Sequence, residues 1–368
     1  MSKKTIVTIL LIVLIGMLIT DININGFGVF ELFFHRLNTD SIEKLHIGGG
    51  YQEKYSHNGT LNFNAMSVNS LDINNPMGSV VLIGEDGEEV KVEYDITVYG
   101  RTVKRAEEYA KQIKVEKTGT KNIKLSLKKP DDSTGIQAVK VAYYIKAPRE
   151  IYPDIKNKYG KLEVNNFKNG AKLSNGYEET DVKDISGNVE IRAAYGDLDV
   201  TNIEGKVNIH TSYNSVNIRD ISKNLSIEAD YSEVEINNIK GKLDYESRYG
   251  EASLNNINNT DIKSDYTEIN ISRINGPLTA DMNYGELNLS GIKNDLNFTG
   301  NYTDIEGELS PELDNFSLNS ELEYGNIDTN FLVTKREDDN YEKVTTQVGT
   351  GEVKIKIKTE HADIKIYK

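Results

Sequence analysis

Ten tyrosines divide nearly half of the chain at nearly equal intervals: Tyr159, Tyr177, Tyr195, Tyr213, Tyr231, Tyr249, Tyr266, Tyr284, Tyr302 and Tyr324. Successive spacings are 18, 18, 18, 18, 18, 17, 18, 18 and 22. Apolar residues keep the same time. Three and five residues after a tyrosine come pairs such as Leu198/Val200, Val216/Ile218, Val234/Ile236 and Leu287/Leu289; twelve and fourteen after come Val189/Ile191, Val207/Ile209 and Leu225/Ile227. A spacing of two is the strand period, so each unit holds two short strands and two turns. Such a unit leaves no room for a helix and is too thin to fold alone. Stacking copies, strand over equivalent strand at about 4.8 Å, buries the apolar pairs. The spacing therefore predicts an all-β chain: a parallel β-solenoid of about ten 18-residue turns over 151–330.

Strand parity carried through the tyrosine places its ring inward at a corner, beside a small residue two positions earlier: Ala193, Thr211, Ala229, Ser247, Ser264 or Gly300. Asn175, Met282 and Leu322 break that rule. The tyrosines then form a structural ladder lining one edge of the core. The rival reading is an exposed stripe on which sugar rings stack. A second column stands seven residues after the first six tyrosines, at Asn166, Asp184, Asn202, Asp220, Asn238 and Asn256, each followed by Phe or Ile. Asn and Asp bond their own backbone in tight turns, so this is a turn ladder. Calcium could also sit on such a row, but the G-G-x-G-x-D signature of calcium-binding β-rolls is absent, and no metal or cofactor is assigned.

Charge narrows the partners. The chain carries 43 Lys+Arg against 57 Asp+Glu, a formal net charge of -14. From Tyr159 to Asn330 there are 14 Lys+Arg and 31 Asp+Glu, so 14 − 31 = −17 lies on the repeats. A nucleic-acid partner, whose phosphates demand a basic face, is excluded. With no cysteine, disulfide frameworks and thiol chemistry are excluded too. His35, His46, His57, His210 and His361 form no metal-spaced pair, and no H-E-x-x-H or P-loop occurs. Carboxylates are abundant enough to supply a glycosidase-like pair. Yet the uniform turns offer no inserted loops to build a cleft, so no catalytic residue is assigned.

At the N-terminus, Lys3 and Lys4 precede an uncharged run, Thr5 to Thr20. This stretch reads as a membrane anchor or signal segment (1–20), and the poor cleavage pattern that follows favours an uncleaved transmembrane helix. Lysines on its N-terminal side place the bulk of the chain outside the cytoplasm, as a single-pass membrane protein. Residues 21–59 form a juxtamembrane linker with an apolar patch, Phe27–Leu37. Residues 60–150 read as a β-rich cap with one helix within Thr102–Lys114. Residues 331–368 read as a loop, Phe331–Lys343, followed by capping strands. The outward lysines of those strands, Lys354, Lys356, Lys358 and Lys365, would block end-to-end pairing.

The tandem phrase Y-G-x-L-x-V-x-N-I-x-G-x-V-x-I, the lead-in VKVAYYIKAPREIYPDIKNKYGKLEV and the closing GTGEVKIKI resemble a bacterial putative-adhesin family of β-strand-repeat domains of unknown function, over residues 65–368. The resemblance implies a β-repeat fold behind an N-terminal membrane segment. In some members it also implies proximity to cell-envelope stress-response systems of low-GC Gram-positive bacteria. It brings no active site to this chain. The expected function is non-enzymatic: an envelope-interaction or adhesion module whose partner is wall polymer, glycan or another surface protein. The alternative is an accessory of envelope stress signalling acting through a membrane-protein partner near Phe27–Leu37, and a polysaccharide-active enzyme stands behind both.

Overall fold

The computed structural model describes residues 53–368. They form twenty-five strands, numbered β1 to β25 in chain order, and one eight-residue helix, α1 (Val103–Ala110). The architecture is all-β and solenoid-like, every strand belonging to one hydrogen-bonded system. Among the described residues no helix is long and apolar enough to cross a membrane. The expected anchor and the Phe27–Leu37 patch lie outside the described residues.

In the repeats, β12 (Val189–Ala194) lies parallel on β14 (Val207–Ser212), and β13 (Asp197–Ile203) on β15 (Ser215–Ile221). Each residue meets its counterpart 18 positions later, for example Ile191↔Ile209 and Val200↔Ile218. The apolar pairs are buried between the two stacks. Further along, the two strands of a unit merge, as in β18 (Leu243–Ile257) and β19 (Thr260–Ile274). These two pair with an offset of 17, Leu243↔Thr260. The turn before Thr260 is one residue shorter, so the columns continue unbroken.

Both corners use left-handed backbone. The turn-ladder residues Asn166, Asp184, Asn202, Asp220, Asn238 and Asn256 have φ between 53° and 71°. Asn and Asp tolerate that region better than other side chains. One such residue reverses strand parity, so the next one turns inward: Phe167, Ile185, Ile203, Ile221, Ile239 and Ile257 are all buried. The tyrosine corner does the same. Tyr195, Tyr213, Tyr231, Tyr249, Tyr266, Tyr284, Tyr302 and Tyr324 have φ between 51° and 60°. Their rings swing out, and the following residue goes in: Asn214, Ser232, Thr267 and Thr303 are buried. The expectation of inward-pointing tyrosines is thus corrected, because it carried strand parity straight through a kink. Two of the small residues two positions before a tyrosine bond to these inward side chains, Thr211 to Asn214 at 2.8 Å and Ser247 to Thr267 at 3.2 Å.

At both ends the chain is stacked out of order. β2 (Ser70–Asn75) and β3 (Val80–Glu85) lie parallel on β8 (Tyr152–Tyr159) and β9 (Leu162–Phe167). β6 (Asn122–Lys128) and β7 (Ile136–Pro148) lie on the other side of β2 and β3. Residues expected in a separate cap are therefore continuous with the coil stack. β4 (Glu89–Gly100) extends β7 antiparallel, and β1 (Glu53–Asn64) extends β4. β1 thus begins inside the stretch expected to be linker. β5 (Lys114–Thr118) is antiparallel to β6. The helix opens on Thr102, whose hydroxyl accepts from the Arg105 N–H, and it packs Ala106, Tyr109 and Ala110 against β1 and β4.

At the C-terminal end, β25 (Val353–Tyr367) is inserted parallel between β21 (Leu296–Leu309) and β22 (Phe316–Thr329). It is not the closing strand its lysines suggested. The last coil is β22, and the expected loop is instead a hairpin, β23 (Thr334–Asp338) and β24 (Tyr341–Val348), with β24 antiparallel to the first half of β22. Every residue of β23 is exposed and its sequence is TKRED, so the blunting charges sit there. Phe331 meets Phe316 edge-on at 5.7 Å, over the end of the core.

Candidate functional site: the tyrosine edge

From Tyr159 to Tyr302 each ring lies on the next, with centroids 4.8 to 5.1 Å apart and interplanar angles of 2° to 19°. Tyr324 does not follow Tyr302 directly. His361 of β25 stacks between them, 4.6 Å from Tyr302 and 4.7 Å from Tyr324. His361 also shares the left-handed backbone, with φ 53°. The phrase H-x-x-I-x-I, with Ile364 and Ile366 three and five residues on, is the repeat phrase with His in place of Tyr; that signal was in the sequence and was missed.

The ladder is a surface feature, with Tyr231 50% and Tyr266 49% exposed. Each interior ring presents an edge to solvent while its two faces are covered by its neighbours. A sugar that stacks on a broad aromatic face finds none free along the ladder interior. What the stripe offers is a row of ring edges and phenol oxygens repeated once per coil. Burial pushes the Tyr213 phenol above its ordinary pKa, and the neighbouring Tyr195 and Tyr231 add to the effect.

The left-handed backbone is strained for tyrosine by about 1–2 kcal/mol, and two stacking contacts of about 0.5–1.5 kcal/mol each offset it. Tyr231→Ala is therefore expected to destabilise by about 1–3 kcal/mol. Tyr231→Gly, which relieves the backbone, should be more stable than the Ala variant by about 1 kcal/mol. Urea unfolding of the two variants checks the order; an inward tyrosine would give a larger loss, with Gly worse than Ala.

Two residues past the tyrosines runs an acidic row in direct register, Glu233, Glu251, Glu268, Glu286, Asp304 and Asp363. All six are exposed, and among the described residues none has a cationic partner within 4.0 Å. Neighbouring like charges destabilise a sheet. Part of the repulsion is relieved by amide donors: Asn270 to Glu268, Asn288 to Glu286, and the Asp363 N–H to Asp304 at 2.7 Å. Beside this row, burial raises the Asp199 pKa, and Asp181 of the adjoining coil pushes it further.

The turn ladder is tied along its own column. Asn202 donates to Asp184 at 2.6 Å, Asn238 to Asp220 at 2.9 Å, and Asn256 to Asn238. Asn166 donates to the Gly84 carbonyl at 2.7 Å, joining the first repeat to β3. Each Asp on the row thus accepts from an amide, and among the described residues no group of three acidic or histidine side chains is placed to hold a metal ion.

On the opposite sheet lies a shallow groove of about 370 Å³ lined by His210, Glu228, Asp244, Glu246, Asp261 and Lys263. Asp244 and Asp261 both pair with Lys242, and Glu228 shares a hydrogen bond with His210 at 2.8 Å.

Residues 68–367 match the family model described as Toastrack DUF4097. The chain belongs to the Toastrack DUF4097 family. DUF4097 is a domain of unknown function, so membership fixes the kind of domain and no ligand. Solved structures similar to this Toastrack domain include three bacterial proteins. One is a putative cell adhesion protein from Clostridium sporogenes, 11% identical, with 85% of this chain and 99% of that one covered at a TM-score of 0.21. Another is a putative adhesin from Parabacteroides merdae, 9% identical, covering 68% and 95% at a TM-score of 0.31. The third is a putative adhesin from Bacteroides fragilis, 13% identical, covering 84% and 97% at a TM-score of 0.29. Likeness at this level bears on neither ligand nor partner. No curated protein matches the chain.

Proposed function

We propose that this Toastrack protein is a membrane-anchored, extracytoplasmic, non-enzymatic binding module that engages a hydrogen-bonding polymer of the cell envelope along its tyrosine edge. The observation that carries the reading is the edge itself: eleven stacked rings, Tyr159 through Tyr302 with His361 and Tyr324, beside an acidic row with the same spacing. A ladder of polar groups repeating every 4.6 to 5.1 Å suits an extended, repetitive partner better than a compact one. The unpaired carboxylates repel anionic polymers, which favours a neutral glycan strand of the wall. The anchor reading rests on the uncharged run Thr5 to Thr20 after Lys3 and Lys4.

Co-sedimentation of residues 53–368 with purified cell walls tests this reading. A fragment starting at residue 60 would remove over half of β1. Saturable binding is expected, weakened when Glu251, Glu268 and Glu286 are replaced by Gln together with Tyr249→Ala. Binding that ignores those four substitutions moves the site elsewhere, and no binding to wall sinks the polymer reading.

A further inference from the structure

A β-stack must do something with its edges, and four strand edges among the described residues are treated differently. β5 is five residues long and carries Lys114, Glu116 and Lys117. β23 is also five residues long, charged and wholly exposed. The uncovered half of β22, Gly325 to Thr329, is short and carries Asp328. These are the usual ways of preventing strand addition. β1 has them only at its start, where Glu53 and Lys54 stand. It is twelve residues long and pairs along its whole length with β4; among the described residues its other side has no partner strand. From Ser56 to Asn64 it contains no Asp, Glu, Lys, Arg or Pro.

Its sequence, EKYSHNGTLNFN, is also nearly symmetric in character about Gly59. Laid antiparallel against a second copy with Gly59 on the two-fold axis, it sets Tyr55 opposite Phe63 and His57 opposite Leu61 on the inner side. On the outer side Asn58 meets Thr60, Ser56 meets Asn62 and Lys54 meets Asn64. No like charges face each other, and every apolar residue meets an aromatic or apolar residue or the His57 ring. Tyr55, Leu61 and Phe63 are only partly buried in one copy, as residues beside an uncovered edge should be. The Gly59 position suits the axis, because the Tyr94 ring already covers it and a Cβ there would collide with the Tyr94 hydroxyl.

We infer that β1 is a dimer seam, where a second copy of this chain adds its own β1 antiparallel to make one continuous sheet. The contact is isologous and closes on itself, so it yields a two-fold dimer and not a filament. Backbone hydrogen bonds supply the pairing, and the Tyr55–Phe63 and His57–Leu61 cross-strand pairs fix the register. This inference does not depend on the ligand of the tyrosine edge.

The chain has no cysteine, so introduced thiols report without background. Asn58→Cys and Thr60→Cys are both exposed changes, made in separate full-length chains that are co-expressed in membranes and mildly oxidised. The register puts residue 58 of one copy directly opposite residue 60 of the other, within disulfide reach, whereas 58 to 58 and 60 to 60 are diagonal and too far. Expected is a disulfide-linked dimer from the co-expressed pair and little from either variant alone. Sedimentation of the unsubstituted chain in detergent should give twice the chain mass. A monomer at all concentrations overturns the inference, as does equal cross-linking by the single variants. No cross-link from the pair overturns it too, and would mean that some other segment covers the edge.

Discussion

A chain ending at Glu352 loses hydrogen-exchange protection in β21 and β22 while keeping it through the coils before Ile257. The missing strand, β25, is not a peripheral addition: its inward residues Ile355, Ile357, Ile364 and Ile366 are at most 2% exposed. Four fully buried isoleucines contribute about 1.5–3 kcal/mol each, on the order of 6–12 kcal/mol before conformational entropy. That is comparable with the entire stability of an ordinary domain, about 5–15 kcal/mol. Removing β25 also strips pairing from two strands at once and takes His361 out of the aromatic stack. In a stack where each coil touches only its neighbours, such damage stays local, so the loss should stop within a few coils. Exchange measured by mass spectrometry after a short deuterium pulse reads this directly. Unchanged protection of Leu296–Leu309 would show that β22 reseats on β21; Leu296, Gly300 and Tyr302 are aligned for that with Leu318, Leu322 and Tyr324, 22 residues later.

That reseating is what the sequence alone suggests, and the contrast shows where sequence reasoning stopped. The 18-residue period, the two strands per unit and the columns were legible, because burial on alternate positions writes itself into residue type at each repeat. The corner at tyrosine was not. Nothing in a tyrosine announces a left-handed backbone, and the clue lay one residue later, in the Gly, Asn, Ser or Thr that the kink turns inward. Spatial order at the ends was hidden for another reason. Parallel pairing by register does not require neighbours in sequence to be neighbours in space, so Leu71 can lie beside Pro153 and Ile357 between Phe298 and Ser320. The lysines of β25 pointed to an outer strand because outward rows of an interior strand look the same as those of an edge.

The second large effect concerns one of the residues that broke the small-residue rule. Asn175 is the end of a buried amide chain with Asn75 and Asn157, each at most 3% exposed. The Asn157 side chain accepts from Asn75 Nδ2 at 3.0 Å and donates to Asn175 Oδ1 at 3.2 Å and the Gly160 carbonyl at 2.6 Å. It fastens the out-of-order coil of β2 and β3 to the first coils in sequence. Asn157→Asp keeps the shape but sets a carboxylate against two acceptors in a buried place. Burial raises the pKa of such an acid by up to about 3–5 units. At 1.36 kcal/mol per unit, a rise of about 3 units destabilises the folded state by about 4 kcal/mol at neutral pH. A folded pKa above the unfolded value of about 3.9 means that stability is fully present below that value and is lost as pH rises through the folded pKa. Relative to the unsubstituted chain, Asn157→Asp should therefore unfold in much less urea at pH 7.5 and approach it near pH 4. Asn157→Leu leaves the Gly160 and Asn175 oxygens without their donor and should lose about 2–4 kcal/mol at both pH values alike. Parallel behaviour of the two variants would mean that the site admits water and that the amide chain does not bind the two segments together.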